Sequence, residues 1–244
     1  MSPAPWPLVL SLPHCGLEAP AEVMAAWAVE PGQIRAEADL GTAEVFANLP
    51  ALAVLQARHS RLVVDLNRGP DDAGEGGVIP LTTYPDRREI YRPGRRPDPR
   101  QRQERLSAYY WPFHHSLQAA LRRSGVQGLI DCHSMDPCHQ DGAPRPQVCL
   151  GDCRGQTCGA GRLLRLEAAL AEQGFEVACQ QPYAGGHITR HYGAELISRG
   201  LFAVQLELNK GLFLKPKNLE LDAERLADVR LRVGAALAGF CATI

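Results

Sequence analysis

The chain has no excess of charge of either sign: 26 Lys and Arg stand against 27 Asp and Glu in 244 residues. Proteins that hold nucleic acid or anionic membranes lean on a basic surplus, so neither partner is expected. No apolar run approaches the ~20 residues that a membrane-spanning helix needs. The start, MSPAPWPLVLSLPHCG, lacks a basic segment ahead of its apolar stretch and carries proline inside it, which makes a poor export signal. There is no internal repeat and no low-complexity tract. No Cys-x-x-Cys pair occurs, which excludes a zinc ribbon.

Eight cysteines are nevertheless present. Cys132, Cys149 and Cys179 sit inside apolar, strand-like runs, where a free thiol packs as a small hydrophobe. Cys149, Cys153 and Cys158 are too loosely spaced to argue for a metal site or a disulfide. A chain of this length without an export signal is expected in a reducing cytoplasm.

Short apolar runs recur at Leu8–Leu12, Leu62–Leu66, Gly128–Cys132, Gln147–Leu150, Phe175–Cys179 and Phe202–Leu208. Near-continuous hydrophobicity predicts strands buried on both faces. Helix-like stretches lie between them: Thr42–His59 with a break at Pro50, Gln101–Ser124 interrupted at Pro112, Gly161–Gln173, and Leu221–Phe240. Strands alternating with helices predict one α/β domain over 1–244, with a three-layer core and a mixed, mostly parallel sheet. A Gly- then Arg/Pro-rich insert at about 69–105 departs from this. Tyr84–Arg105 carries eight arginines among four acids with four prolines, a composition expected of a surface loop or a flap over an anion-attracting site.

Ligands in open α/β sheets bind beyond the carboxyl ends of the strands. Pro13-His14-Cys15-Gly16 follows the first run, and Asp65-Leu66-Asn67-Arg68 ends the second. Gly128–Cys132 leads into His133-Ser134, and Phe202–Leu206 leads into Glu207-Leu208-Asn209. Period-2 alternation puts Val204, Leu206 and Leu208 on one side of the last strand and Gln205, Glu207 and Asn209 on the other. A polar row on a core strand is costly without partners. Either this is an edge strand with a wet face, or Glu207 is a carboxylate held in a cleft for general-base work.

His14 and His133, each at a strand end, point to a metal, because imidazole is the commonest zinc ligand and catalytic zinc takes three protein ligands. The third ligand is left among Asp39, Glu37 and Glu18; Asp39 could equally cap a helix. In Tyr183–Gly193 the pair Gly185-Gly186 permits close backbone approach to a ligand, and Arg190 is a donor nearby. Gly151–Gly155 reads as a tight turn and Trp111–His115 as a helix kink.

Taken in order, PHCG (13–16), RLVVDLNR (61–68), YYWPFH (109–114), DCHSM (131–135), LGD (150–152), PYAGGHITRHYG (182–193) and QLELNKGLF (205–213) resemble the N-formylglutamate amidohydrolase family. The resemblance implies a fold like that of zinc carboxypeptidases and aspartoacylase-like deacylases. It implies metal-dependent hydrolysis of a small N-acyl amino acid, for the named family N-formyl-L-glutamate to formate and L-glutamate, late in histidine breakdown. His14 and His133 match its histidine ligand motifs, Asp39 an acidic position after the first, and Glu207 the general base. Asn67 and Arg68 match a substrate-carboxylate clamp, and Arg61 serves an oxyanion or a carboxylate. The metal implied is zinc or another divalent ion. Cys15 replaces the family's usual serine, His187 its usual tyrosine, and the insert at 84–105 is a further departure. A carboxypeptidase-like metallopeptidase and a non-catalytic metal- or amino-acid-binding protein are the alternatives.

Overall fold

Residue alternation along the buried strands sets the architecture. The computed structural model describes residues 4–215 and 219–244, so Met1–Pro3 of the amino-terminal stretch lie outside the described residues. Six strands, β1 (Trp6–Leu12), β2 (Ala51–Gln56), β3 (Gly128–Met135), β4 (Val148–Gly151), β5 (Val177–Cys179) and β6 (Phe202–Asn209), form one sheet in the order β2-β1-β3-β6-β4-β5. β1 is parallel to β2 and β3, and β3 to β6; β4 runs antiparallel to β6 and pairs in parallel with β5. The helices are α1 (Ala21–Met24), α2 (Pro31–Glu37), α3 (Thr42–Phe46), α4 (Pro99–Arg105), α5 (Trp111–Leu121), α6 (Ala160–Glu172), α7 (His187–Ser198) and α8 (Ala223–Cys241).

Every residue of β3 and β6 is buried, so successive side chains must suit two different covers. Leu8, Leu10, Ile130, Val204 and Leu206 pack on one side against α3, α6 and α8 through Phe46, Leu166 and Phe240. Val9, Leu129 and Ala203 pack on the other against α5 and α7 through Leu117, Ile188 and Leu196. The mixed, mostly parallel sheet between two helical layers is the expected α/β architecture. On the α5/α7 side the same alternation carries polar residues toward the carboxyl ends: Asp131 and His133 on β3, Gln205 and Glu207 on β6.

Three expectations need correction. Leu62–Leu66 is not a strand. Its residues are buried, but in a turn-rich segment between two satellite clusters: Leu62 and Val63 pack with Trp27 and Tyr91, and Val64 and Leu66 with Ile79 and Tyr110. Apolar character on both sides therefore mimics a buried strand. Helix 42–59 ends early, and after Pro50 the Ala/Leu-rich stretch Ala51–Gln56 pairs with β1 as the edge strand β2; sheet pairing overrides helix propensity there. The Arg/Pro-rich segment is partly structural: Ile90 and Tyr91 are buried in the cluster around Trp27.

The helical stretch before β3 is continuous through Pro112, with a π-helical turn at Leu106–Tyr110 preceding α5. Pro112 lacks an N–H, and the wider turn accommodates the missing bond. All eight cysteines are free. Among the described residues no helix is long and apolar enough to cross a membrane.

Candidate active site

The loop leaving β1 presents His14, and the segment after α2 presents Asp39, whose backbone N–H donates to the His14 carbonyl at 3.0 Å. That bond joins two chain segments beside the end of β3. His133 Nδ1 lies 2.8 Å from Asp39 Oδ2, and His14 Nδ1 lies 3.6 Å from the same oxygen. The two imidazole centroids are 4.9 Å apart. One donor atom from each of His14, Asp39 and His133 falls within 4.8 Å of the others, and all three residues are buried.

The outer nitrogens are also held. His14 Nε2 is 2.7 Å from Asp65 Oδ1, and His133 Nε2 is 3.2 Å from Asp131 Oδ2. Burial works to raise the Asp39 carboxyl, but hydrogen bonds from His133 and His14 hold it well below its ordinary range. Two imidazoles and a carboxylate are the number and type of ligands that catalytic zinc takes from protein. Each ring is backed by an acid, as metal-bound histidines usually are. The residues present therefore fit a divalent cation. Among the carboxylates considered, Glu18 pairs instead with Arg58 at the surface, and Glu37 accepts the Tyr84 N–H. Asp39 does not cap α3, whose N-cap is Gly41.

Asp65 organises the next wall. Its Oδ1 also accepts the Asn67 N–H at 2.9 Å, a side-chain turn that curls the chain out of any strand. Its Oδ2 accepts from Arg61 at 2.7 Å, with Arg68 Nε at 3.9 Å. Burial opposes the charge on Asp65, but Arg61, His14 and Arg68 keep the carboxyl well below its usual range. From behind, Tyr110 donates to the Arg68 carbonyl at 2.8 Å and His114 Nε2 meets the Leu66 carbonyl at 3.0 Å. These residues, one helical turn apart, fix the segment that carries Asn67 and Arg68.

Asn67 is engaged on both ends of its amide. Oδ1 accepts the Ile188 N–H at 2.7 Å, and Nδ2 lies 3.1 Å from His133 Nε2 and 3.5 Å from Asp131 Oδ2. The start of α7 is thereby tied to the histidine. Gly186 fits this contact: a Cβ there would lie 2.4 Å from Asn67 Nδ2. At Gly185, φ is +129° and a Cβ would meet Cys153 Sγ at 2.7 Å.

Glu207 faces the same space. It is the register partner of His133 across β3 and β6. Burial pushes its carboxyl up to about 7, against the opposing charge of His133. Gln205 Nε2 donates to Glu207 Oε1 at 2.7 Å, while Gln205 Oε1 accepts the Gly186 N–H at 2.5 Å. A carboxyl held near neutrality can both accept and return a proton.

The predicted residues His14, Asp39, His133, Glu207, Arg61, Asn67, Arg68, Gly185 and Gly186 all line one cleft of ≈ 340 Å³. Arg190 does not. It is exposed on α7, one helical turn beyond Gly186, because the helix carries it away from the glycines that precede it. Cys15 donates to the carbonyls of Leu12 and Ala57, and burial pushes its thiol up to about 12. His187 lies 3.4 Å from the Tyr110 hydroxyl. Sequence reasoning gave no role to Asp131 as a support of His133, nor to Tyr84, Arg145 or Lys210 in the cleft lining. Asp131 opens the DCHSM motif, two residues before His133 on one strand face, and that spacing was the available signal. Arg145 and Tyr84 are in loops, where no periodicity marks direction.

The profile of the N-formylglutamate amidohydrolase family matches residues 6–214. A protein of Pseudomonas aeruginosa named N-formylglutamate deformylase is 34% identical over 217 residues, 83% of this chain and 80% of that protein. One of the same name from Pseudomonas putida is 30% identical over 223 residues, 86% of this chain and 82% of that protein. The crystal structure of N-formylglutamate amidohydrolase from Ralstonia eutropha has the same fold, with a TM-score of 0.85 at 23% identity, covering 100% of this chain and 95% of that one. With the matched region spanning the whole cleft, the chain belongs to the N-formylglutamate amidohydrolase family.

Proposed function

We propose that the protein hydrolyses the amide of an N-acyl amino acid, N-formyl-L-glutamate foremost, to formate and L-glutamate. The observation that carries this reading is the buried His14–Asp39–His133 cluster beside Glu207 in a cleft that also holds Arg61 and Arg68. The names of the related Pseudomonas proteins support the choice of substrate.

His14, Asp39 and His133 would hold the metal, zinc foremost, which when bound supplies Lewis acidity toward the substrate carbonyl and the attacking water. Asp65 and Asp131 orient the two rings. Glu207 accepts a proton from water as its oxygen bonds to the formyl carbon. Arg61 supports the negative charge that develops on the carbonyl oxygen. The C–N bond then breaks as Glu207 returns the proton to the departing nitrogen, and the acidic proton of the nascent formic acid passes to the amine, giving formate and an ammonium group. Arg68 takes the α-carboxylate of the substrate, a charge-assisted contact. Asn67 serves this step by holding Arg68's segment against α7, and the Gly185-Gly186 backbone leaves room for the ligand. This reading places the reaction late in histidine breakdown, and the free cysteines suit a reducing cytoplasm.

The test is a formate-release screen of N-formyl amino acids, run beside elemental analysis of the purified protein. Equal yields of formate and glutamate from N-formyl-L-glutamate are expected. Metal-loaded protein that releases no formate from any member of the panel would overturn the assignment.

A further inference from the structure

The cleft has a second cationic end. Arg61 and Arg68 share Asp65 on the His14 side. On the β6 side stand Arg145, in the connection from β3 to β4, and Lys210, three residues beyond Glu207. The Arg145 backbone is fixed at both ends: its N–H donates to the Pro137 carbonyl at 2.9 Å, and its carbonyl accepts from Asn209 Nδ2 at 3.1 Å. Its guanidinium lies 5.6 Å from the centre of the Tyr183 ring, and Nη1 donates to the Asp136 carbonyl at 3.3 Å. Its Nε is buried with no hydrogen-bond partner. Lys210 is 8% exposed, and its Nζ lies 3.1 Å from Asp136 Oδ1, a carboxylate itself 51% exposed.

A desolvated ammonium beside one half-exposed acid is under-compensated. Arg145 and Lys210 both line the cleft, where an anion would offset their charge. We propose that Arg145 and Lys210 form a subsite for the side-chain carboxylate of an N-acyl dicarboxylic amino acid, distinct from Arg68, which takes the α-carboxylate. The inference rests on the amide hydrolysis proposed above and adds the residues that select an acidic side chain. Tyr183, which also lines the cleft, offers its ring face to the Arg145 guanidinium.

The experiment compares N-formyl-L-glutamate with N-formyl-L-glutamine, which has the same shape without the charge. Three metal-loaded proteins are assayed: wild type, Arg145→Gln and Lys210→Met. Arg145→Gln keeps a polar side chain without the charge, and Lys210→Met keeps the apolar stem, so the two substitutions disturb the fold in different ways. In each folded variant the preference for glutamate over glutamine in kcat/KM should fall about 10- to 100-fold, through KM of the charged substrate, as expected for loss of a charged hydrogen bond. An equal loss on both substrates means a merely structural role and overturns the subsite. An unchanged preference overturns it as well, while wild-type activity on N-formyl-L-glutamate leaves the amide-hydrolysis reading standing. Wild type inactive on both substrates takes down both proposals together.

Discussion

Gln205 donates from Nε2 to Glu207 Oε1 at 2.7 Å, and the two side chains share the polar side of β6 with nothing between them but Leu206, which faces the opposite core. The pairing engages one carboxylate oxygen of Glu207. Because Gln205 also accepts the Gly186 N–H, the strand that carries Glu207 is tied to the start of the helix across the cleft.

Replacing the base isolates its contribution. Glu207→Gln keeps the size and the hydrogen bonding of the side chain but cannot take a proton. Turnover should fall at least about 100-fold, within the usual range for a removed general base. Metal content should stay at the wild-type level, since Glu207 lies outside the His14–Asp39–His133 cluster. Steady-state kinetics of the variant settle this, and wild-type turnover would remove Glu207 from the mechanism.

The two imidazoles should control metal content. The double substitution His14→Ala with His133→Ala removes two of three clustered ligands, leaving Asp39 alone. Elemental analysis after dialysis against a chelator should show bound zinc in wild type and a trace in the double variant. Equal content in both would place the metal elsewhere.

A methyl group at Gly186 should disturb chemistry more than folding. The added Cβ would sit 2.4 Å from Asn67 Nδ2, so Asn67 must move away from His133 and the Ile188 N–H. Its own φ of −85° imposes no backbone penalty. Gly186→Ala should lower kcat by roughly 10- to 100-fold, the scale of a small misplacement near reacting groups. Its thermal midpoint should shift by only a few degrees, and a variant with normal kcat would show that the Asn67 contact is dispensable.

His114 should make stability depend on pH. Burial lowers its pKa from 6.5 to about 4, and a neutral ring with its proton on Nε2 satisfies both the Leu66 carbonyl and the Tyr192 hydroxyl. Between pH 6.5 and 4 the unfolded chain binds a proton that the folded one does not, so stability falls as pH falls through this window and levels off below it. The contribution lost is about 3 kcal/mol, since each tenfold change in proton affinity is worth ~1.36 kcal/mol. Urea unfolding of wild type and His114→Gln at pH 7 and pH 4 measures it. The gap between the two proteins should narrow by about that amount, and a gap independent of pH would show that the ring protonates freely in the folded state.

Much of the site was legible in the order of residues. Alternation in Gln205–Asn209 predicted which side of β6 is polar, because side chains in a strand take opposite sides whatever their surroundings. Strand ends marked His14, His133 and Glu207, and the family motifs marked Asp39, Asn67 and Arg68. Other features were illegible for identifiable reasons. Leu62–Leu66 looks like a strand because it is apolar on both sides, and a sequence does not say whether those sides meet helices over a sheet or two satellite clusters. Ala51–Gln56 looks helical until β1 offers it an edge.

The sequence by itself determined which side of β3 and of β6 is polar toward the carboxyl end, since the period of a strand is a local property. Tertiary structure decided the chemistry of the cleft. It chose Asp39 over Glu37 and Glu18 as the carboxylate beside the imidazoles, turned Arg190 away, and brought Arg145 and Lys210 in. Those outcomes depend on where loops far apart in the chain meet, and loop residues carry no repeating pattern from which a direction could be read.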